Sequence, residues 1–191
     1  YPLSKLGHNS AATIHLLAEA MKRAYADRSR YLGDKDFVDV PQQGLISKRY
    51  AAKLRQNISR TTATPSSIIL PGEPLPYESD ETTHFSIVDQ YGNAVSNTYT
   101  INFSYGSGIV VDGAGFLLNN EMDDFSAKPG APNAYGLIGG SANKIESGKR
   151  MLSSMSPTIV KKEGKVYLVT GSPGGSRIIT TTLQVIMNVI D

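Results

Sequence analysis

A threonine at the boundary between a loop and a strand has the surroundings that best fit a chemical role. Thr82 follows a Pro-rich stretch and opens an alternating strand pattern. A threonine hydroxyl is a poor nucleophile unless a base removes its proton. A free α-amine, with a pKa of about 7.7–8.0, is such a base. Cleavage between Glu81 and Thr82 would create this base on the nucleophile itself, so we expect the chain to cleave itself there.

The pattern after Thr82 predicts a hairpin that brings polar groups back to it. A turn at Tyr91-Gly92-Asn93 leads into a return strand over 94–103. Thr100 and Asn102 are two residues apart and should share one face of that strand. We therefore expect a hydroxyl and an amide close to Thr82.

A second hairpin, over 158–170, leads through a Gly-rich turn at 171–177 into an apolar helix from Ile178. Such a turn exposes N–H groups at a helix N-terminus, where Gly174 and Gly175 could bind an anion or an oxyanion. The turn resembles a phosphate loop only loosely, because it ends in Gly-Ser-Arg. An ordinary turn is the plain alternative.

Two further stretches have both a plain and a chemical interpretation. The run 121–125 contains three carboxylates, which fit a solvated turn, a receptor for an ammonium group or a cation site. It lacks the spacing of a calcium loop. The Gly/Pro-rich stretch 129–140 contains Tyr135 and suits a lid over a site as well as an idle loop.

The N-terminal third of the chain predicts helices and then a loop. Asn9 or Ser10 caps a first helix that ends near Gly33, and Ser47 caps a second. Residues 61–80 contain prolines that exclude a helix or a central strand. The loop is either a linker or a mobile segment that cleavage releases.

Composition excludes several classes of protein. The 191 residues are 40% hydrophobic and 19% charged, which is typical of a globular domain. A net charge of +2 argues against nucleic acid or an anionic membrane as partner, and the absence of Cys excludes thiolate chemistry. The chain begins Tyr1-Pro2-Leu3 and stops after an apolar helical pattern, so we expect a fragment of a larger protein.

Four motifs, in this order, closely resemble those of bacterial γ-glutamyltranspeptidases. They are the stretches 82–86, 119–125, 152–157 and 171–176. The resemblance implies an N-terminal-nucleophile hydrolase of α+β class, an αββα sandwich that is partial here and truncated at both ends. It also implies that residues 1–81 are the C-terminal part of a large subunit, with a processing loop at 61–81. Residues 82–191 would begin the catalytic small subunit.

The same resemblance implies a role for individual residues. Thr82 matches the nucleophile and Thr100 the threonine that supports it, while Gly174 and Gly175 match the oxyanion hole. Tyr135 matches the gating aromatic of a lid over 129–140. The remaining matches bind the substrate, either its α-amino group (Asn102, Glu121 and Asp124) or its α-carboxylate (Ser153 and Ser154).

The activity that this implies is γ-glutamyl transfer and hydrolysis through an ester on Thr82. The donor would be glutathione or another γ-glutamyl amide, and the acceptor water, an amino acid or a peptide, with no cofactor and no metal. The large subunit would stay paired with the small one in a periplasmic or secreted enzyme. We expect the fragment alone to be inactive, because the family's carboxylate-binding arginine would lie upstream of Tyr1. The alternatives are an anion-binding module that uses the loop 171–176, or a related poly-γ-glutamate enzyme or acylase.

Overall fold

A computed structural model of the protein describes residues 1–69 and 82–190. Its helices and strands occupy separate stretches of the chain, and both strand pairs are antiparallel, which confirms the α+β class. Glu81 and most of the predicted processing loop lie outside the described residues. The helices are α1 (Ala11–Tyr31), α2 (Gln42–Leu45), α3 (Lys48–Arg55) and α4 (Ile178–Ile190). The strands are β1 (Thr83–Val88), β2 (Ala94–Tyr99), β3 (Thr158–Lys162) and β4 (Lys165–Thr170).

The described residues form two compact units. The first unit comprises residues 1–69 and 124–152, and the second comprises 82–123 and 153–190. The chain therefore enters the first unit twice, once on each side of Thr82.

The first helix begins at one of the two predicted caps and ends at Tyr31, two residues before the predicted Gly33. Ser10 is the cap, because its side chain accepts a hydrogen bond from Thr13 N at 3.2 Å. After Tyr31 the chain passes Gly33, where a Cβ would lie 2.3 Å from the carbonyl oxygen of Ala142. Gly33 is thus required by the close approach of another backbone segment rather than by a left-handed turn.

The third helix is capped as the sequence predicts and is held against α1. The Ser47 side chain accepts from Tyr50 N at 3.1 Å. The Tyr50 hydroxyl then donates to Asp27 Oδ1 at 3.0 Å. Burial raises the pKa of this carboxyl group, and the bond from Tyr50 acts in the opposite direction. The single turn of α2, which follows Pro41, is not predicted by the sequence pattern.

Polar groups take up much of the interior of the first unit. Glu19 is fully buried and accepts hydrogen bonds from Arg23 Nη1 at 2.8 Å, from Lys22 Nζ at 2.8 Å and from Thr64 N at 3.0 Å. Burial alone would raise the pKa of Glu19, but the hydrogen bonds lower it to about 2. Arg23 also donates to Asn57 Oδ1 at 2.8 Å. The segment 57–64 is therefore tied to α1 by a network of hydrogen bonds.

A buried carboxylate joins the end of α1 to a distant part of the chain. The Asp34 side chain is only 1% exposed and accepts bonds from the N and the Nε of Arg150, both at 2.9 Å. These bonds hold the pKa of Asp34 well below its usual range. Arg150 also pairs with the exposed Asp36. Residue 150 is thereby anchored within the first unit.

The second unit is built from the two predicted hairpins and α4. Ser96 on β2 links the hairpins, because its hydroxyl donates to Thr170 O at 2.9 Å and accepts from Thr158 N at 3.0 Å. Ile178, the first residue of α4, is 2% exposed and packs in this unit's core. The opposite face of β1 and β2 carries exposed apolar residues, among them Phe85 and Tyr99, whose rings lie 6.5 Å apart.

Candidate active site

The hairpin register sets the surroundings of Thr82. Thr83 pairs with Tyr99 and His84 with Thr98. Continued by one pair, this register sets Thr82 opposite Thr100, on the face that also carries His84 and Thr98. Thr82 is half-buried and immediately precedes β1. The proximity of Thr82 and Thr100 stays a prediction, which the register of the last strand pair favours.

Asn102 reaches the site in a different way from the one predicted. The return strand ends at Tyr99, so the prediction of a strand over 94–103 was wrong at its end. Thr100 Oγ1 accepts a hydrogen bond from Asn102 N at 2.9 Å, and Asn102 adopts a positive φ of 75°. A local turn thus replaces the strand, because the threonine side chain competes for the amide that strand pairing would use. Thr100 and Asn102 are linked by this bond instead of by a shared strand face.

Asn102 ties this turn to the acidic run. It is 3% exposed, and its Nδ2 donates to Asn120 O at 3.1 Å. Asn120 Oδ1 in turn accepts from Phe103 N at 3.0 Å. Glu121 follows directly and begins a single 3₁₀ turn whose Glu121 N bonds Asn119 Oδ1 at 3.0 Å. The bond between Asn102 and Asn120, and that between Asn119 and Glu121, therefore tie the start of the acidic run to the Thr100 turn within the second unit.

The carboxyl group of Glu121 is electrostatically unusual. Burial raises its pKa, and no compensating contribution accompanies this shift. A carboxylate in such a position is stabilised by an incoming cation, because a nearby opposite charge favours the ionised form. A cation close to Glu121 would therefore lower this pKa.

Asp124 lies at the start of the second pass through the first unit. Its carbonyl oxygen accepts a hydrogen bond from Asn143 Nδ2 at 2.7 Å. Burial lowers the pKa of Arg28, whereas the negative charge of Asp124 acts to raise it. Asp124 is therefore held through its backbone, with a cationic side chain in its neighbourhood.

The two serines lie in an extended stretch that precedes β3. Ser153 is exposed, and its Oγ accepts from Met155 N at 3.0 Å. Ser154 is half-buried, and its carbonyl oxygen accepts from Ser156 Oγ at 3.0 Å. Leu152, directly before them, donates its N–H to Asn143 Oδ1 at 3.0 Å. The serines thus follow a residue that is fixed by a buried side chain.

The Gly-rich turn has the backbone geometry that only glycine adopts readily. Gly174 has a φ of 124° and Gly175 a φ of 50°. Gly175 begins a 3₁₀ turn that runs directly into α4, and Arg177 N closes it by bonding Gly174 O at 2.9 Å. The field of a 13-residue helix favours negative charge at this end. The turn is therefore suited to an oxyanion.

Tyr135 lies in the first unit, inside a closed loop. Gly130 N bonds Gly139 O at 3.0 Å at the base of the loop, and Asn133 Oδ1 accepts from Tyr135 N at 3.0 Å. Tyr135 is 6% exposed. Gly140 N donates to Ser29 O at 2.8 Å, which fixes the base of the loop to α1. The gating role of this loop stays a prediction.

The predicted site residues thus fall mainly in one unit. Most belong to the second unit (Thr82, Thr100, Asn102, Glu121, Ser153, Ser154, Gly174 and Gly175). Within it, hydrogen bonds link Thr100 to Asn102 and Asn102 to Asn120, the residue before Glu121. Asp124 and Tyr135 belong to the first unit. Across residues 1–69 and 82–190 there is no group of three or more acidic or histidine side chains arranged to hold a metal ion. Nor does any helix in these ranges have the length and hydropathy needed to cross a membrane.

Sequence reasoning gave His84 no role, yet the structure sets it between the two hairpins. Its Nδ1 lies 2.8 Å from Thr98 Oγ1, and its Nε2 lies 3.0 Å from Ser86 Oγ. A Cβ on Gly171 would lie 2.3 Å from the imidazole Cε1. The ring therefore spaces β1 from the start of the Gly-rich turn. Its position two residues after Thr82, on the same strand face, was the available signal.

The whole chain, residues 1–191, matches the family model described as gamma-glutamyltranspeptidase. It is 60% identical over 191 residues to the glutathione hydrolase proenzyme of Escherichia coli, and this match covers 100% of the present chain and 33% of that protein. It is 39% identical over 191 residues to the acylase ACY 1 proenzyme of a Pseudomonas species, covering 100% of this chain and 32% of the relative. The chain thus spans about one third of the length of these curated relatives.

Solved structures agree with the sequence comparisons. A crystal structure of a mutant Helicobacter pylori γ-glutamyltranspeptidase is similar with a TM-score of 0.56 and 75% identity, over 57% of this chain and 59% of that one. Since the family model matches every residue, the chain belongs to the γ-glutamyltranspeptidase family.

Proposed function

We propose that the full-length protein transfers γ-glutamyl groups from glutathione and other γ-glutamyl amides to water or to an amine. The observation that carries this proposal is the register of β1 and β2, whose continuation sets Thr82 opposite Thr100. The relatives' printed names, glutathione hydrolase and γ-glutamyltranspeptidase, support the choice of substrate. Since the chain spans one third of its curated relatives, the activity belongs to the longer protein.

The first step is self-cleavage. Thr82 Oγ attacks the carbonyl carbon of Glu81, the peptide C–N bond breaks, and an ester forms while a proton passes to the freed α-amine. Water then hydrolyses the ester. Glu81 becomes a C-terminal carboxylate and Thr82 a free N-terminus, so residues 1–81 and 82–191 belong to separate but associated subunits. The word proenzyme in the relatives' names supports such maturation.

In the second reaction, the α-amine of Thr82 takes the hydroxyl proton while Oγ attacks the γ-carbonyl carbon of the substrate. The amide C–N bond breaks, the leaving amine departs with the proton, and a γ-glutamyl ester remains on Thr82. Water or an amino acid then takes the acyl group and restores the hydroxyl. The N–H groups of Gly174 and Gly175 donate to the oxyanion both when the ester forms and when it is broken down. Loss of one such donor raises the activation barrier by about 2.7–4 kcal/mol.

The remaining site residues recognise the amino acid end of the substrate. Glu121, whose carboxyl group is partly desolvated, binds the α-ammonium group together with Asp124 and the amide of Asn102. Ser153 and Ser154 donate to the α-carboxylate. Tyr135 and its loop cover the bound substrate.

Two further properties follow from the family resemblance. We propose that the two hairpins belong to the central sheets of an αββα sandwich, which the exposed apolar face of β1 and β2 supports, since a helical layer would cover it. The protein would act in the periplasm or outside the cell, and fractionation of the producing cells would test this.

A change at one of two adjacent threonines tests the mechanism. In the full-length precursor, Thr82→Ala should leave one uncut polypeptide with activity at background, because it removes the nucleophile of both steps. Thr83→Ala is the matched control, because Thr83 is exposed and paired with Tyr99 on the other strand face. That variant should mature and retain activity. Intact-mass measurement and a glutathione hydrolysis assay read both steps, and efficient cutting of Thr82→Ala would refute the mechanism.

A related acylase activity is the second candidate, because one relative is named an acylase proenzyme. Both activities use the same nucleophile, so the acyl group decides between them. A kcat/KM that is higher for a glutaryl amide than for the corresponding γ-glutamyl amide would favour the acylase. The similarity to proenzymes does not favour a non-catalytic anion-binding module built on residues 171–176.

A further inference from the structure

Residues 124–152 are the second of the two segments that form the first unit, and the Asn143 side chain joins the two ends of this segment. Its Nδ2 donates to Asp124 O at 2.7 Å, and its Oδ1 accepts from Leu152 N at 3.0 Å. Asp124 is the first residue of that segment and Leu152 is the last. One side chain therefore closes a loop of chain at its neck.

The side chain of Asn143 can adopt only this orientation. A carbonyl oxygen is solely an acceptor and a backbone N–H solely a donor, so a flipped amide would lose both bonds. Asn143 is 4% exposed, which makes an unpaired amide costly. Its own backbone is fixed as well, because its carbonyl oxygen accepts from Ser126 N at 2.8 Å. Asn143 is thus a rigid spacer between the two segments.

Each end of the segment lies at, or directly beside, residues that bind the substrate in the proposed function. Asp124 is one of the ammonium-binding residues, and Leu152 is followed by Ser153 and Ser154, which bind the carboxylate. The α-ammonium and α-carboxylate of an amino acid are attached to one carbon, so their receptors must be held at a fixed spacing. A displacement of about 1 Å in such a site can cost roughly 100-fold in rate.

We propose that Asn143 is a positioning residue that holds Asp124, of the proposed ammonium receptor, at a fixed spacing from Leu152, after which the chain continues directly into the proposed carboxylate receptor, Ser153 and Ser154. The inference rests on the proposed γ-glutamyl transfer. Asn143 touches no reacting atom and acts through the backbone of Asp124 and Leu152. Its effect is therefore on selectivity for an intact amino acid head group rather than on acyl transfer itself.

Three anilides applied to the full-length mature enzyme separate these effects. The γ-glutamyl anilide carries both head groups, the glutaryl anilide lacks the α-amino group, and the 4-aminobutyryl anilide lacks the α-carboxylate. Asn143→Ala removes both bonds and should reduce the preference for the γ-glutamyl anilide over each truncated substrate by about tenfold or more. The ratios of kcat/KM do not depend on the amount of active enzyme.

A second variant separates the two bonds of Asn143. Asn143→Asp can still accept from Leu152 N but cannot donate to Asp124 O when it is ionised. It should lower the preference over the glutaryl anilide and leave the preference over the 4-aminobutyryl anilide nearly unchanged. Tyr50→Phe is the matched control, because it removes one hydrogen bond of the same unit, to Asp27, and should change neither ratio.

Each outcome has one meaning. Equal loss of kcat/KM for all three anilides, or unchanged ratios, would overturn the role of Asn143 while leaving the proposed function intact. Failure of both variants to yield mature enzyme would also overturn it, because Asn143 would then serve folding or maturation. An unmodified protein without activity on the γ-glutamyl anilide would instead refute the proposed function.

Discussion

At the scale of single residues, the site combines groups whose environments differ sharply. Thr82 is half-buried at the open end of a hairpin, whereas Asn102 is buried and donates a hydrogen bond to Asn120 O. At Glu121, burial raises the pKa of the carboxyl group. A partly buried carboxyl group of this kind lowers stability in its ionised form.

The carboxyl group of Glu121 gives a prediction on pH and stability. Its pKa in the folded protein is raised above its usual value of 4.5, so folding favours the neutral form and stability is lost as pH rises through the folded pKa. Glu121→Gln removes a buried charge, so it should raise the free energy of unfolding at pH 7 and have less effect at pH 4.

Urea denaturation at the two pH values measures this difference for Glu121→Gln. Glu163→Gln, in the exposed turn between β3 and β4, is the matched control and should be close to neutral at both. A gain for Glu121→Gln that is larger at pH 4 would contradict the assignment.

At the scale of elements, the second unit depends on close contact between β1 and the start of the Gly-rich turn. His84 fills the space beside Gly171 and bonds the hydroxyls of Thr98 and Ser86. Any side chain at residue 171 would have to displace the imidazole. The distance from the proposed nucleophile strand to the proposed oxyanion loop is therefore set by one ring.

Gly171→Ala should destabilise the protein by about 1–3 kcal/mol, because its Cβ would overlap the His84 ring. The double change with His84→Ala should recover part of that loss, since the space is then open. Gly44→Ala in α2 is the control, because no heavy atom lies within 4 Å of the added Cβ. It should be neutral or stabilising by about 0.5–1 kcal/mol. Denaturation midpoints measure all three, and a neutral Gly171→Ala would rule out the contact.

The elements that the sequence predicts correctly are those fixed by neighbours along the chain. The caps Ser10 and Ser47 and the two hairpins follow from local spacing and turn chemistry. The end of β2 was missed because a side chain of the same turn, Thr100, captures the amide of Asn102. This competition is local, yet the alternation of polar and apolar residues along the strand does not reveal it.

The contacts that the sequence does not predict are those between residues far apart in the chain. Asp34 and Arg150 are separated by 116 positions, and nothing in either local pattern points to the other. The same holds for Asn143, which bonds Asp124 and Leu152, two residues that lie 28 positions apart. Of the site, strand geometry predicts Thr82 beside Thr100, whereas the substrate-binding roles come from the family resemblance alone.

At the scale of the whole molecule, the compact units and the proposed subunits divide the chain differently. The first unit contains residues from both sides of Thr82. Cleavage there would turn the bonds from Arg150 to Asp34, and from Gly140 N to Ser29 O, into contacts between two chains. The proposed subunits would therefore share one core rather than meet at a surface.

The pair of Asp34 and Arg150 gives a prediction about this association. The pKa of Asp34 is held below its usual value of 3.8, so its contribution is present above that pH and is lost as pH falls through the folded pKa. Asp34→Asn should let the two chains of the mature protein separate at lower urea concentrations near pH 7, with a smaller difference from the unmodified protein at pH 3.

Size-exclusion chromatography in urea measures that separation. Asp36→Asn is the matched control, because Asp36 pairs with the same arginine but is 62% exposed, and exposed pairs contribute about 0–1 kcal/mol. An Asp34→Asn protein whose chains stay together as well as those of the control would show that the buried Asp34 carboxylate does not hold them.

The first unit's construction from two passes of the chain also bears on how the protein survives unfolding. Before cleavage, both passes are tethered, so their reunion is a unimolecular event whose cost grows only slowly with loop length. After cleavage, the same core can form only by collision of two molecules, and its recovery depends on concentration. Maturation would then turn a reversible fold into one whose persistence is governed by the rate of unfolding.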